Sequence, residues 1–231
     1  MYAKFWKRFF DFTLSLLALI VLSPVLLILI VAGAIVMRGN PFFVQPRPGK
    51  KGKDGHEKIF CLIKLRSMSN KRGANGELLP DDQRLGQYGA FLRSTSLDEL
   101  PSLVNIVLGQ LSIVGPRPFL VRDCVFLTNE QRRRHDVRPG LTGLAQVNGR
   151  NNITWEQKFE YDLQYIDRGI TFMGDLKIIL QTVVKVLKKS DTVREGTVSD
   201  MDYGDWLMMQ GKVDSETYEN KLAEAKELLS V

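Results

Sequence analysis

The stretch FTLSLLALIVLSPVLLILIVAGAIVM, residues 12 to 37, runs for 26 residues without a charge. It is long enough to cross a bilayer. A secretory signal fits less well. Ala32-Gly33-Ala34 would suit cleavage, but the apolar run before it is about 20 residues, beyond the usual ~7–15. Two features complicate a simple span. Ser23-Pro24 sits mid-run, and proline removes one helix hydrogen bond and crowds the preceding turn. In lipid the freed carbonyl must find another partner, and the Ser23 hydroxyl is placed to supply one. Both flanks are also basic: Lys4, Lys7 and Arg8 before, and Arg38, Arg47, Lys50, Lys51 and Lys53 after. Positive charge favours the cytoplasmic side. A segment that enters and returns keeps both flanks there; as one straight helix the run would be about 39 Å long, and a tilted, kinked span is the alternative.

The rest of the 231 residues has the composition of one compact domain with attachments. Hydrophobic residues make up 44%, enough to build a core and to exclude wholesale disorder. The net charge of +6 is uneven. Residues 197–231 carry eight acids against three lysines, which leaves +11 on residues 1–196. A basic body points to an anionic partner such as phosphate or anionic lipid. Scattered basic residues without interleaved aromatics argue against nucleic acid. Cys61 and Cys124 lack metal-site spacing and read as reduced core thiols. Only two histidines occur, His56 and His135, too few for a His-rich metal site. No Walker or dinucleotide fingerprint is present.

Past the membrane segment, FFVQ and KIFCLIKL read as a hairpin with a Pro/Gly/Lys-rich turn between them. YGAFLRSTS and LDELPSLVNIVLG read as short helices, the second ending at Gly109. GPRP, residues 115–118, is a rigid loop. FLVRDCVFLTNEQRRRHDV reads as helical. TWEQKFEYDLQYIDR carries Trp155, Phe159, Leu163 and Ile166 at helical spacing. Residues 170–189 form a basic amphipathic helix, suited either to a membrane surface or to a core edge with solvated lysines. The tail has a short heptad-like stripe at Tyr218, Leu222, Ala225 and Leu229.

The chemistry candidates centre on the adjacent carboxylates Asp98 and Glu99. Ser96 and Glu99 have capping-box spacing, so a helix cap is one reading, though Pro101 would then fall awkwardly inside the helix. The other reading uses the nearby cations. Arg93 lies five residues before Asp98, Arg117 sits between two prolines, and Lys64 and Arg66 share one face of a strand. Arginine forks bind phosphate oxygens with paired bonds. A carboxylate can attack phosphorus, and magnesium takes one or two carboxylates plus phosphates and waters. A second pair, Asp81-Asp82, follows Pro80 and reads as a turn and cap.

The ordered set KRFFDF, an apolar run with SP, FVQPRPG, ANGELLPDDQRLG, LRSTSLDELPSL, GPRP and RHDVRPGLTGLAQVNGR resembles the bacterial sugar transferases. Within them it is most similar to the small monotopic phosphoglycosyl transferases, above all the starters of bacterial protein N-glycosylation. The resemblance runs from about residue 1 to 196. It implies an α+β fold: a mostly helical cytosolic domain with a small β-hairpin, anchored by an N-terminal re-entrant helix-break-helix hairpin and amphipathic interfacial helices. The expected divisions are residues 1–38 (membrane), 39–196 (catalytic) and 197–231 (an acidic, helical extension).

The resemblance also implies a reaction. A sugar-1-phosphate moves from a UDP-sugar to undecaprenyl (polyprenyl) phosphate, releasing UMP. Asp98 matches the nucleophile and Glu99 the second member of the dyad. Arg93, Arg117 and Lys64 match phosphate-binding positions, and Mg2+ would sit at Asp98. Ser23 and Pro24 match the re-entrant break, and Lys7 and Arg8 the basic membrane anchor among phospholipids. The implied location is the cytoplasmic face of the bacterial inner membrane. The sugar it favours is diNAc-bacillosamine, ahead of N-acetylhexosamines. The alternatives are a UDP-hexose transferase for capsule, exopolysaccharide or O-antigen, and a non-enzymatic membrane-anchored scaffold. The acidic tail departs from the small core of this group. It leaves open a homodimer or a contact with a downstream glycosyltransferase.

Overall fold

The computed structural model describes residues 1–149, 152–188 and 201–230. Arg150 of the last motif, Lys189 and the boundary expected at 196/197 lie outside them. A π-helical turn, Tyr2–Trp6, leads into one long helix, α1 (Lys7–Met37). Tyr2–Met37 is long and apolar enough to cross a membrane. The helix assignment continues through Pro24, where a break between two helices is expected. Its ladder is repaired locally. Proline cannot donate to Ile20 O, four residues back, and the Ser23 hydroxyl donates to that carbonyl at 2.8 Å.

Only one stripe of α1 is covered. Asp11, Ser15, Leu29 and Gly33 are buried, with Ala18, Leu19, Leu26 and Ile30 packed against cores of the domain. The opposite face exposes Ile20, Val21, Leu27, Ile28 and Ile35. A continuous apolar face of that kind belongs in lipid rather than water.

The expected hairpin is present as β1 (Phe42–Lys51) and β2 (Glu57–Leu65), antiparallel, with Phe43 opposite Lys64. β1 runs further than FFVQ. Pro46 and Pro48 lie inside it, opposite Cys61 and Ile59. A two-stranded sheet has only edge strands, so a proline can face away from the ladder. The alternation of β2 buries Phe60 and Leu62 on one face and turns Cys61 outward, while Leu65, at the end of the strand, is buried from the other face beside Leu29 and Leu92, so of the two free thiols only Cys124 is a core residue.

Next come α2 (Asp81–Arg84), α3 (Gln87–Thr95), a 3-10 turn at Leu97–Glu99 and α4 (Ser102–Val107). Asp81 and Asp82 occupy the first turn of α2, where Asp81 pairs with Arg84. β3 (Ser112–Val114) pairs in parallel with β4 (Gly140–Thr142). No pattern in the sequence announces strands this short. A Cβ on Gly140 would lie 2.1 Å from Gly115 N, so glycine alone permits this approach.

The helix expected over 119–137 is interrupted. It contains α5 (Val121–Cys124) and a 3-10 segment, Gln131–Asp136. Thr128 and Gln131 exchange side-chain-to-backbone bonds, giving the chain a local alternative to a helix ladder. α6 (Leu144–Val147), α7 (Trp155–Asp167) and α8 (Phe172–Leu187) follow. Thr154 caps α7 with a reciprocal Gln157 bond. The tail forms α9 (Tyr203–Met209) and α10 (Ser215–Ser230). Tyr203 and Leu207 enter one buried cluster with Phe119, Trp155 and Phe159. Ala225 is buried, whereas Leu229 of the expected stripe is half exposed.

Candidate active site

Ser96 ends α3 with a left-handed backbone, φ 57°, and makes no side-chain cap bond. The capping box that Ser96 and Glu99 could form is therefore absent. The 3-10 turn instead presents both carboxylates sideways, and α4 starts only after Pro101, where proline suits a first helical turn. α4 is sewn to β2. Ser102 Oγ donates to Ile63 O at 2.7 Å, and Asn105 Oδ1 accepts from Ile63 N at 3.1 Å. These bonds satisfy one edge of β2 and fix the neighbouring Lys64 opposite Glu99.

Glu99 is fully engaged on one oxygen. Its Oε1 accepts from Lys64 Nζ at 2.6 Å and from Arg117 Nη2 at 2.9 Å. Burial alone would raise the Glu99 pKa; Lys64 and Arg117 overcome it and hold the carboxyl well below the ordinary range. Burial pulls Lys64 below its usual value, against Glu99. Asp98 makes no hydrogen bond or ion pair among the described residues. Burial, then the Glu99 charge, push it up to about 6 against Lys64, Arg117 and Arg93. Two adjacent carboxylates thus differ in kind: Glu99 is a fixed anion, and Asp98 is an unclaimed carboxyl among cations.

Of the phosphate-binding candidates, Lys64 and Arg117 meet at Glu99. Arg93 stands on the last turn of α3, where its Nε donates to Ser67 Oγ at 3.0 Å. The Arg117 loop is braced from below. Arg134, buried, donates to Arg117 O and to Asp162 Oδ2 and lies 3.6 Å from the Phe119 ring centroid. Sequence reasoning did not single out Arg134, whose partners lie 17 and 28 residues away. Arg47, read only as basic flank, lines the same small pocket as Lys64, Glu99 and Arg117.

Lys7 and Arg8 lie elsewhere. Lys7 Nζ is 2.7 Å from Asp175 Oδ2, and both groups are largely buried. Arg8 donates to Ile106 O and Val107 O at the end of α4, at 2.5 and 2.7 Å. Gly109, with φ +80°, makes room there; a Cβ on it would lie 3.2 Å from the Arg8 guanidinium. Ser23 and Pro24 are on the exposed face of α1.

No group of three or more His, Cys, Asp or Glu side chains that could hold a metal occurs among the described residues. The dyad fits magnesium only in its sparest mode, one or two carboxylates completed by phosphates and waters.

A family model described as bacterial sugar transferase matches residues 2–189. The chain is 46% identical over 181 residues to the sugar transferase EpsL of Bacillus subtilis, covering 78% of this chain and 87% of that one. It is 42% identical over 195 residues to the UDP-glucose:undecaprenyl-phosphate glucose-1-phosphate transferase of Klebsiella pneumoniae. With the galactosyl transferase CpsE of Streptococcus agalactiae the identity is 36% over 196 residues. These last two alignments each cover 78% of this chain but only 40% and 42% of those longer proteins.

Proposed function

Because the chain belongs to the bacterial sugar transferase family, we propose that it moves a sugar-1-phosphate from a UDP-sugar to undecaprenyl phosphate in two steps. An Asp98 carboxylate oxygen attacks the phosphorus bonded to the sugar. The bond from that phosphorus to the bridging oxygen breaks, and UMP leaves. An oxygen of undecaprenyl phosphate then attacks the same phosphorus. The acyl-phosphate bond breaks, Asp98 is restored, and the polyprenyl-diphosphate sugar departs. The observation that carries this reading is the asymmetry of the dyad, with Glu99 held by two cations and Asp98 held by none.

Lys64, Arg93 and Arg117 surround Asp98 with positive charge, which offsets repulsion between its carboxylate and the donor phosphates. Glu99 fixes Lys64 and Arg117 in place. Asp98, with the Glu99 oxygen not used by those cations, would hold a magnesium ion. When bound, such an ion neutralises phosphate oxygens and the charge of the leaving group.

The same reading places the protein on the cytoplasmic face of the inner membrane, with α1 entering and leaving one leaflet. Contacts along α1 support it. Tyr2 and Lys7 bond Asp175, and Asp11 accepts from Ser112 Oγ and Ile113 N. Near the other end Tyr88 OH donates to Leu29 O at 2.7 Å. A straight span would carry one end some 30 Å beyond the domain, out of reach of such bonds.

The glucose and galactose in the relatives' names favour a UDP-hexose donor for polysaccharide assembly. The motif resemblance favours diNAc-bacillosamine and protein glycosylation. UMP release measured across a panel of UDP-sugars with undecaprenyl phosphate decides between them. Absence of UMP release with every donor would overturn the proposed reaction.

A further inference from the structure

Arg47 is a half-buried cation without an anion. Its Nη1 donates to Pro118 O at 3.0 Å and its Nη2 to Gln45 Oε1 at 2.6 Å, both neutral acceptors. Its Nε, closed off from solvent, has no hydrogen-bond partner. No carboxylate forms an ion pair with it among the described residues. A guanidinium has five N–H donors, and two are used here. Burial and the nearby Arg117 charge push its pKa down to about 10. A partly enclosed charge with a shut-off, unbonded N–H is costly unless an anion completes it.

Its position indicates which anion. Arg47 lines the pocket with Lys64, Glu99 and Arg117. The charges acting on it are Arg117, Asp123, Cys124 and Glu99, whereas the cations acting on Asp98 are Lys64, Arg117 and Arg93. Arg47 bonds the carbonyl of Pro118, the residue after Arg117, and Arg117 in turn bonds Glu99, the neighbour of Asp98, so Arg47 stands on the far side of Arg117 from the dyad. A diphosphate attacked by Asp98 at its sugar-side phosphorus must extend its second phosphate away from Asp98. We propose that Arg47 binds the nucleotide-side phosphate of the donor and retains it on UMP as the leaving group. This rests on the UDP-sugar reading above.

The bland role for Arg47 is to tie β1 to the Pro118 loop. The UMP-to-uridine affinity ratio separates the two, because uridine lacks the phosphate and a tether does not read it. Isothermal titration of the full chain in micelles should show that Arg47→Gln lowers this ratio at least about tenfold. The KM for UDP-sugar should rise in parallel, with the KM for undecaprenyl phosphate unchanged. Arg47→Lys keeps the charge but loses the fork, and should lower the ratio about threefold. It serves as the test if the glutamine variant does not fold. An unchanged ratio in a folded variant overturns the assignment. So does a rise confined to the KM for undecaprenyl phosphate, which would place the acceptor phosphate at Arg47. If the wild type neither binds UMP nor releases it from any UDP-sugar, the reaction itself falls and Arg47 loses its role with it. If the wild type does both, only the Arg47 assignment is at stake.

Discussion

Lys64 Nζ lies 2.6 Å from Glu99 Oε1, and Arg117 Nη2 reaches the same oxygen at 2.9 Å. This pairing divides labour between neighbours in sequence. Removing the Glu99 charge leaves Lys64, largely buried, without its counter-ion. Glu99→Gln should therefore cost stability, by about 1–3 kcal/mol, as well as rate. Asp98 supports no such pair, so Asp98→Asn should fold normally. It should lose transfer by on the order of a thousandfold or more, the scale for a missing nucleophile. Rapid-quench mass spectrometry should find a phosphosugar on the wild-type chain and none on Asp98→Asn. An Asp98→Asn protein that still transfers at the wild-type rate would leave the dyad as scaffold only.

The contacts along α1 make a topological prediction. Asp11, buried near its start, bonds β3, and Leu29, buried near its end, packs with Leu65 and Leu92. Single cysteines placed before Lys4 and after Arg38, in a Cys61→Ser background, should react with an impermeant thiol reagent from the same membrane side. Labelling from opposite sides would show that α1 crosses. Asp11→Ala should release Ser112 and the Ile113 amide together. It should lower the melting temperature by several degrees, the size expected when buried partners go unsatisfied.

Some of this was legible in the sequence because it is local. The alternation of KIFCLIKL sets the β2 face, and the Ser23 repair of Ile20 O follows from the serine preceding a proline. The site was only half legible. Spacing made Ser96-x-x-Glu99 a capping box, but a left-handed Ser96 removes that option, and such a φ is set by how α3 meets the next turn. Arg47 and Arg134 were invisible for another reason. Their partners lie 71 and 28 residues away, and only the folded chain brings Pro118 and Asp162 to them.

The tail is predicted to be part of the catalytic fold. Tyr203 N donates to Asp123 Oδ1 at 2.8 Å, and the Tyr203 ring packs on Trp155 and Phe159, beside Phe119. Phe119 is two residues from Arg117. Tyr203→Ala should cost about 3 kcal/mol, as for other large-to-small changes in aromatic cores. It should also reduce kcat by disturbing the Arg117 loop. Tyr203→Phe loses only the Gln131 bond to the phenol and should cost under about 1 kcal/mol. Paired melting curves and UMP-release rates check both. Full activity in a folded Tyr203→Ala protein would detach the tail from the site.

His135 should make the fold acid-sensitive. Its Nδ1 lies 3.0 Å from Glu57 Oε1, and its Nε2 faces Cys124 Sγ and Arg134. Burial, reinforced by Arg134 and Arg132 against the pull of Glu57, lowers its pKa to about 4. The unfolded chain takes up this proton near the ordinary value of about 6.5. Below that pH the unfolded state binds a proton that the folded state refuses. The contribution is therefore whole above pH ~6.5 and is lost progressively down to about 4, with a ceiling near 3 kcal/mol. Glu57, lowered to about 2, adds its own loss only below the ordinary range of a free glutamate. Asp123, raised to about 6, acts in the opposite sense, because the folded chain protonates it first. Melting temperatures of the wild type and His135→Gln, followed from pH 7.5 to 4, cancel the Asp123 contribution by difference. The gap between the two curves should shrink as pH falls through 6.5 toward 4. Parallel curves would mean that folding leaves the His135 pKa unchanged, and a gap that widens as pH falls from 7.5 to 6.5 would mean that His135 carries its proton in the folded protein, with Glu57 as its counter-ion.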